Sequence, residues 1–196
     1  MSNKINIQII LGSTREQRQG EKVANWIYAL ASKQKDFNIE LIDLKDWPLP
    51  FFNEALSPAY LKGNYKEKLA KDWSKKIKKA DAYIIVTPEY SHGYPAVLKN
   101  ALDYLYEEWN NKPVAFVSYS GGPSAGIRAV EQLRQVVIEL QMAPIREEIN
   151  IPFVWKAFDE KGVLKDQEYY TKKAANLFSQ LLWWAKALKA TRTNNN

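Results

Sequence analysis

Along the chain, short continuous apolar runs alternate with longer stretches whose apolar residues recur every three or four positions. The runs Ile5 to Leu11 and Ala82 to Val86 have the unbroken hydrophobicity of strands buried on both faces. Pro113 to Ser118 is a third run, and Asn38 to Leu44 carries Ile39, Leu41 and Leu44 at its apolar positions. A fifth strand is expected within Pro144 to Val154. Glu21 to Lys35 places Val23, Ala24, Ile27, Leu30 and Ala31 on one helical face. Tyr65 to Ala80 does the same with Leu69, Trp73 and Ile77. The stretch after Pro95 follows with Val97, Leu98, Ala101, Leu102 and Leu105, and runs to Glu108. Ser124 to Gln141 and Tyr169 to Lys189 supply two more helices. Two prolines within Trp47-Pro48-Leu49-Pro50-Phe51-Phe52 forbid a regular element, so this is an aromatic-rich connection. A single domain over residues 1–190 and a disordered tail from Thr191 to Asn196 are expected.

Strands alternating with helices imply βαβ units, hence a parallel sheet with helices on both faces, a three-layer α/β sandwich. Two strand orders fit such a sheet, the dinucleotide-binding one and the flavodoxin-like one. Five strands and a single half favour the flavodoxin-like order 2-1-3-4-5. In that order the loops after the first, third and fourth strands converge on one rim, and those three loops carry the chemistry.

Composition narrows the options. The 196 residues include no cysteine, so there is no disulfide, thiolate nucleophile or cysteine-ligated metal. No apolar run approaches the ~20 residues of a membrane span. Met1-Ser2-Asn3-Lys4 leads into the first strand without a signal-peptide pattern, so a cytoplasmic location is expected. The 28 basic and 22 acidic residues leave a charge of +6. Many of the lysines, from Lys62 to Lys79, interleave with the apolar face of one helix, which is the pattern of a solvated surface and not of a nucleic-acid site.

The first loop, Gly12 to Gly20, presents Ser13, Thr14, Arg15, Gln17 and Arg18 ahead of a helix beginning near Gly20. Amides at a helix N-terminus with hydroxyl and guanidinium groups form an anion site. The Gly-Lys-Ser/Thr ending of an ATP-binding loop is absent, and so are the three glycines of the dinucleotide fingerprint. A terminal monophosphate fits better than a diphosphate; the rival is a polar turn with two solvated arginines. The third loop, Pro88-Glu89-Tyr90-Ser91-His92-Gly93-Tyr94, offers amides plus Tyr90 and the chain's only histidine, His92. That histidine is expected to line the pocket, the alternative being a donor to an acceptor substrate. The fourth loop, Ser118-Tyr119-Ser120-Gly121-Gly122, offers amides that glycine lets a flat ligand approach. A flat heterocycle joined by a spacer to a phosphate describes FMN. No catalytic triad or metal cluster is seen, and flavin chemistry needs neither.

These motifs resemble those of the NADPH-dependent FMN reductase family, flavodoxin-like in fold. The resemblance spans nearly the whole chain and rests on three motifs in register. They are Gly12-Ser13-Thr14-Arg15, then Pro88 to Pro95 with Leu98-Lys99-Asn100-Ala101-Leu102-Asp103, then Ser118 to Gly122 with Gly126 and Arg128-Ala129. It implies that Ser13, Arg15 and Arg18 hold phosphate, and that Glu89 to His92 and Ser120 to Gly122 hold the ring. The chain departs at Ser91, where asparagine is frequent, and at Ile127, where many members have glycine. The resemblance further implies NADPH or NADH as hydride donor, a small-molecule acceptor such as free flavin, quinone, azo compound or metal oxyanion, and a homodimer or homotetramer. Trp183, Trp184, Tyr104, Tyr106 and Trp109 are candidates for that interface, with ordinary packing as the alternative. A non-enzymatic electron carrier of the flavodoxin type is the rival function, which the positive charge counts against. A domain that has lost its cofactor would show damaged loops, and these are intact.

Overall fold

The computed structural model describes residues 4–194. Five strands, β1 (Ile5–Leu11), β2 (Phe37–Asp43), β3 (Ala82–Pro88), β4 (Pro113–Tyr119) and β5 (Ala143–Ile151), form one sheet in the order β2-β1-β3-β4-β5. All four pairings are parallel, with Ile9 opposite Leu41 and Ile84, and Ile85 opposite Phe116. The flavodoxin-like expectation thus holds. Around the sheet lie helices α1 (Gly20–Ala31), α2 (Pro58–Leu61), α3 (Lys68–Ile77), α4 (Ala96–Asp103), α5 (Ile127–Glu139), α6 (Val154–Ala157) and α7 (Gln167–Asn194).

Side-chain alternation along the strands feeds two cores. Ile5, Ile7, Ile9, Ile84, Val86, Ala115 and Val117 pack against Val23 and Ile27 of α1 and Leu177, Phe178 and Leu181 of α7. Tyr83, Ile85, Val114 and Phe116 face the other way, onto Trp73 and Ile77 of α3, Leu98 and Leu102 of α4, and Leu133 and Val137 of α5. The central strands β3 and β4 are buried at every position, which is why they stand out as continuous apolar runs. Strand β5 lies at an edge, and its Arg146, Glu147 and Glu148 face partly outward.

Several boundaries differ from expectation. Tyr65 precedes α3 and is buried as a loop residue, its hydroxyl donating to Glu108 Oε2 at 2.8 Å. Helix α4 ends at Asp103, where the chain turns so that Trp109 enters the core and donates to Leu102 O at 3.1 Å. Trp109 and Tyr104 are therefore core residues, not surface aromatics. Ser124 does not start α5; Gly126, at φ +88°, does. Thr191 to Asn194 continue α7 where a disordered tail is expected, and Asn195 and Asn196 lie outside the described residues. No helix of the described residues is long and apolar enough to cross a membrane.

Candidate functional site

The loops after β1, β3 and β4 meet at the carboxyl ends of the strands, as the order 2-1-3-4-5 requires. Arg15, Gln19, Pro88, Glu89, Tyr90, Tyr119, Ser120, Gly121, Val154 and Trp155 line one cleft there. It encloses only about 50 Å³, so a flavin-sized ligand would lie along its rim, open to a second molecule.

The β1 loop leaves the sheet at Gly12, where a Cβ would stand 2.9 Å from Leu98 Cδ2 and 3.1 Å from Val86 O. Ser13 is fully buried and its Oγ lies 2.8 Å from the Tyr90 hydroxyl, which ties this loop to the next. Arg15 is exposed, its guanidinium carbon 5.6 Å from the centre of the Tyr90 ring. Among the described residues, none accepts a hydrogen bond from the amides of Thr14, Arg15, Glu16 or Gln17. Gln17 holds φ +53°, and Gln19 begins α1 without a side-chain cap. A run of unpaired amides at an uncapped helix start, beside an exposed guanidinium, is a donor set suited to an anion.

Arg18 lies elsewhere. Its buried guanidinium donates to Ser13 O and Asp43, and to Glu21 Oε1 at 3.0 Å. Burial pulls its pKa down, but Asp43 and Glu21 outweigh that and raise it, so the cation is locked. Arg18 fastens the loop to β2 and has no fork left for a ligand. That corrects its expected contact with phosphate.

In the β3 loop, Tyr90 N donates to Gly93 O at 2.8 Å and Gly93 N to Tyr90 O at 2.9 Å. Ser91 and His92 occupy the corners at φ +50° and +67°, the signature of a type I′ turn, whose corners favour asparagine and glycine. The family's frequent asparagine in place of Ser91 thus has a backbone reason. Glu89 N already donates to Tyr119 O at 3.1 Å, and among the described residues the amides of Ser91, His92 and Tyr94 have no acceptor. The His92 carbonyl is held by Gln132 Nε2 at 2.9 Å.

The Glu89 carboxylate is buried. Its Oε1 receives Arg128 Nε at 2.7 Å and lies 3.2 Å from Ser124 Oγ, while its Oε2 has no partner. Ser124 Oγ is also 3.1 Å from Ser120 Oγ, and its single proton serves one neighbour at a time. The second buried polar atom without a partner beside this cleft is the Tyr119 hydroxyl. It abuts the Gly20 backbone, so closely that a Cβ there would collide. Burial, with Tyr90 nearby, raises the Tyr119 pKa, so the phenol is a neutral donor. Two unsatisfied buried polar atoms facing one cleft are what a site built for a polar ligand shows before that ligand is counted.

Ser118 does not reach the cleft. Fully buried, it donates to Ala125 O at 2.7 Å, accepts from Asn150 at 2.9 Å, and crowds Gly126, so it fastens the β4 loop from behind. Ser120 turns its hydroxyl onto Gly122 O at 2.8 Å. At Gly122 a Cβ would meet nothing within 4 Å, so the backbone there faces open space. Gln19 and Tyr119, which lie within the loops read from the sequence but have no assigned role there, join the site, as do Val154 and Trp155. The last two follow β5, and an aromatic residue just past a strand end was their only signal.

The residues present fit FMN: an anion cradle at α1 and glycine amides at a sheet edge, with orphaned polar atoms between them. A family model described as NADPH-dependent FMN reductase matches residues 5–156. An NAD(P)H-dependent FMN reductase of Schizosaccharomyces pombe is 37% identical over 183 residues, covering 89% of either chain. A quinone reductase of Pseudomonas putida is 29% identical over 173 residues, 85% of this chain and 88% of that one. A solved flavoenzyme NAD(P)H:(acceptor) oxidoreductase from Paracoccus denitrificans has the same fold, with a TM-score of 0.75 at 22% identity over 93% of this chain and 98% of that one. Loops, sheet order and sequence agree: the chain belongs to the NADPH-dependent FMN reductase family.

Proposed function

We propose that this protein is an FMN-dependent NAD(P)H oxidoreductase whose cofactor lies along the rim of the β1, β3 and β4 loops. The observation that carries the reading is the set of unpaired amides and orphaned polar atoms on those three loops. When bound, FMN supplies hydride uptake from a nicotinamide and onward transfer to an acceptor. The chain's own residues bind, orient and balance charge. The amides of Thr14 to Gln17 and the Arg15 guanidinium hold phosphate, with Gly20 opening the helix behind them. Arg18 and Ser13 hold that loop in shape from within. The amides of Ser91, His92, Gly121 and Gly122 face the ring edge, where preorganised donors stabilise negative charge without reorganising. Pro88, Glu89 and Tyr90 form the floor, and Ser118 and Ser120 fix the loop opposite. Arg128 balances the buried charge of Glu89, which would otherwise oppose an electron-rich ring.

Small planar acceptors such as quinones, azo compounds or free flavin suit the open rim. A cytoplasmic homodimer or homotetramer is part of the reading; Trp183, 65% exposed on α7, and Trp184 beside it support an interface there. Purified protein is expected to be yellow and to bleach anaerobically on addition of NADPH or NADH. Yellow protein that neither nicotinamide bleaches would make it a carrier, and colourless protein unable to take up FMN would overturn the reading.

A further inference from the structure

Trp155 is the one large aromatic side chain in the cleft that no contact within the fold explains. It is 59% exposed, although its neighbour Val154 is only 3% exposed and anchors the segment. Among the described residues, none accepts from its indole N–H. The segment is nevertheless held firmly. Phe153 N donates to Gly122 O at 3.2 Å, Val154 N to Ser120 O at 2.9 Å, and Ser120 N to Ile151 O at 3.2 Å. These bonds stitch the end of β5 to the β4 loop. Phe153 is forced to φ +46° to make the turn, a conformation that costs a non-glycine residue free energy. The result aims the indole along the loop, with Nε1 3.5 Å and Cδ1 3.7 Å from where a Cβ on Gly121 would stand. Strain and a lost apolar burial thus accompany a placement that brings the pyrrole edge of the indole beside Gly121 and leaves the rest of the ring open.

We infer that Trp155 is the aromatic wall against which the planar ring of the bound ligand packs, and so a determinant of ring binding and not of phosphate binding. The inference rests on the flavin-site reading above. Stacking of a flat heterocycle on an aromatic side chain, with the burial that accompanies it, is strong enough to be read as an affinity change. Riboflavin separates the two ends of the ligand, since it has the ring and lacks the phosphate.

The test titrates apoprotein with riboflavin and with FMN, following flavin fluorescence, in the wild type, Trp155→Ala, Trp155→Phe and Arg15→Ala. Trp155→Ala should weaken both ligands by the same factor, about tenfold. Trp155→Phe should keep most of the affinity, and Arg15→Ala should weaken FMN alone. Wild-type affinity for both ligands in Trp155→Ala would overturn the inference, and so would a loss confined to FMN or a Phe variant as weak as the Ala variant. Wild-type protein that binds neither ligand would instead overturn the flavin-site reading itself, and this inference with it. Circular dichroism checks that each variant is folded, which the exposure of Trp155 and Arg15 favours.

Discussion

Two arginines three residues apart in one polar loop are assigned opposite tasks, and substitution separates them. Arg18→Ala removes a buried guanidinium and leaves Ser13 O without its donor and Asp43 without its cation. Breaking a fully buried pair costs roughly 3–5 kcal/mol. Here the Asp43 side chain is 26% and Glu21 58% exposed, so water recovers part of that and about 2–3 kcal/mol remains. For a chain of this length each kcal/mol moves the melting temperature by roughly 2–4 °C. The ligand-free Arg18→Ala protein should therefore melt about 4–12 °C below the wild type. Arg15→Ala removes an exposed side chain with no partner but the Tyr90 face. Its ligand-free melting temperature should stay within about 1 °C of the wild type, while FMN affinity falls by roughly 1.5–3 kcal/mol, the worth of a hydrogen bond to a charged group. Differential scanning calorimetry of both apoproteins, with FMN titration alongside, decides the matter. An Arg18→Ala protein that melts like the wild type but has lost FMN would refute the division of labour.

Gly122→Val should fold normally, because a Cβ there meets nothing within 4 Å, yet leave the protein colourless on purification; a full flavin complement would show that the ring does not approach this edge. Lys112 is buried, its Nζ 3.1 Å from the Tyr83 hydroxyl and 3.3 Å from Lys78 O, and burial, with Arg192 nearby, pulls its pKa down to about 7. An unfolded lysine titrates near 10.4, so between about pH 7 and 10 the unfolded chain binds the extra proton and stability rises with pH. Urea unfolding across pH 6 to 10 should show the wild type gaining on the order of 2–4 kcal/mol over that window, and Lys112→Met should lack the gain; parallel curves would remove Lys112 as its source.

What could be read before folding, and what could not, follows from how far apart the deciding contacts lie. Strands β3 and β4 are apolar at nearly every position because both faces are covered, and that local fact fixed the sheet. Strand β5, charged at Arg146, Glu147 and Glu148, is at an edge and gave only a vague signal. The four-residue helices α2 and α6 are too short to show a period. Arg15 and Arg18 look alike in sequence; only Asp43, 25 residues further on, tells them apart. Ser118 likewise sits inside the motif, but its environment is set by Asn150, 32 residues away. Gly121 and Gly122 stand out in the sequence as places where backbone can be approached, whereas Ser13, expected at the phosphate, is fully buried against the Tyr90 hydroxyl 77 residues away.

Of the nine non-glycine residues with left-handed backbone among those described, five (Gln17, Ser91, His92, Ala125 and Phe153) belong to the loops at the mouth of the sheet. At about 1 kcal/mol apiece, they store about 5 kcal/mol, a sizeable part of the roughly 5–15 kcal/mol by which a small protein outcompetes its unfolded chain. Heat should therefore loosen this molecule from the mouth inward while the sheet still stands, and an occupant that braces those turns would act as a thermal keystone. Replacing the five with more comfortable residues would harden the protein, at the risk of slackening the grip for which the turns were bent.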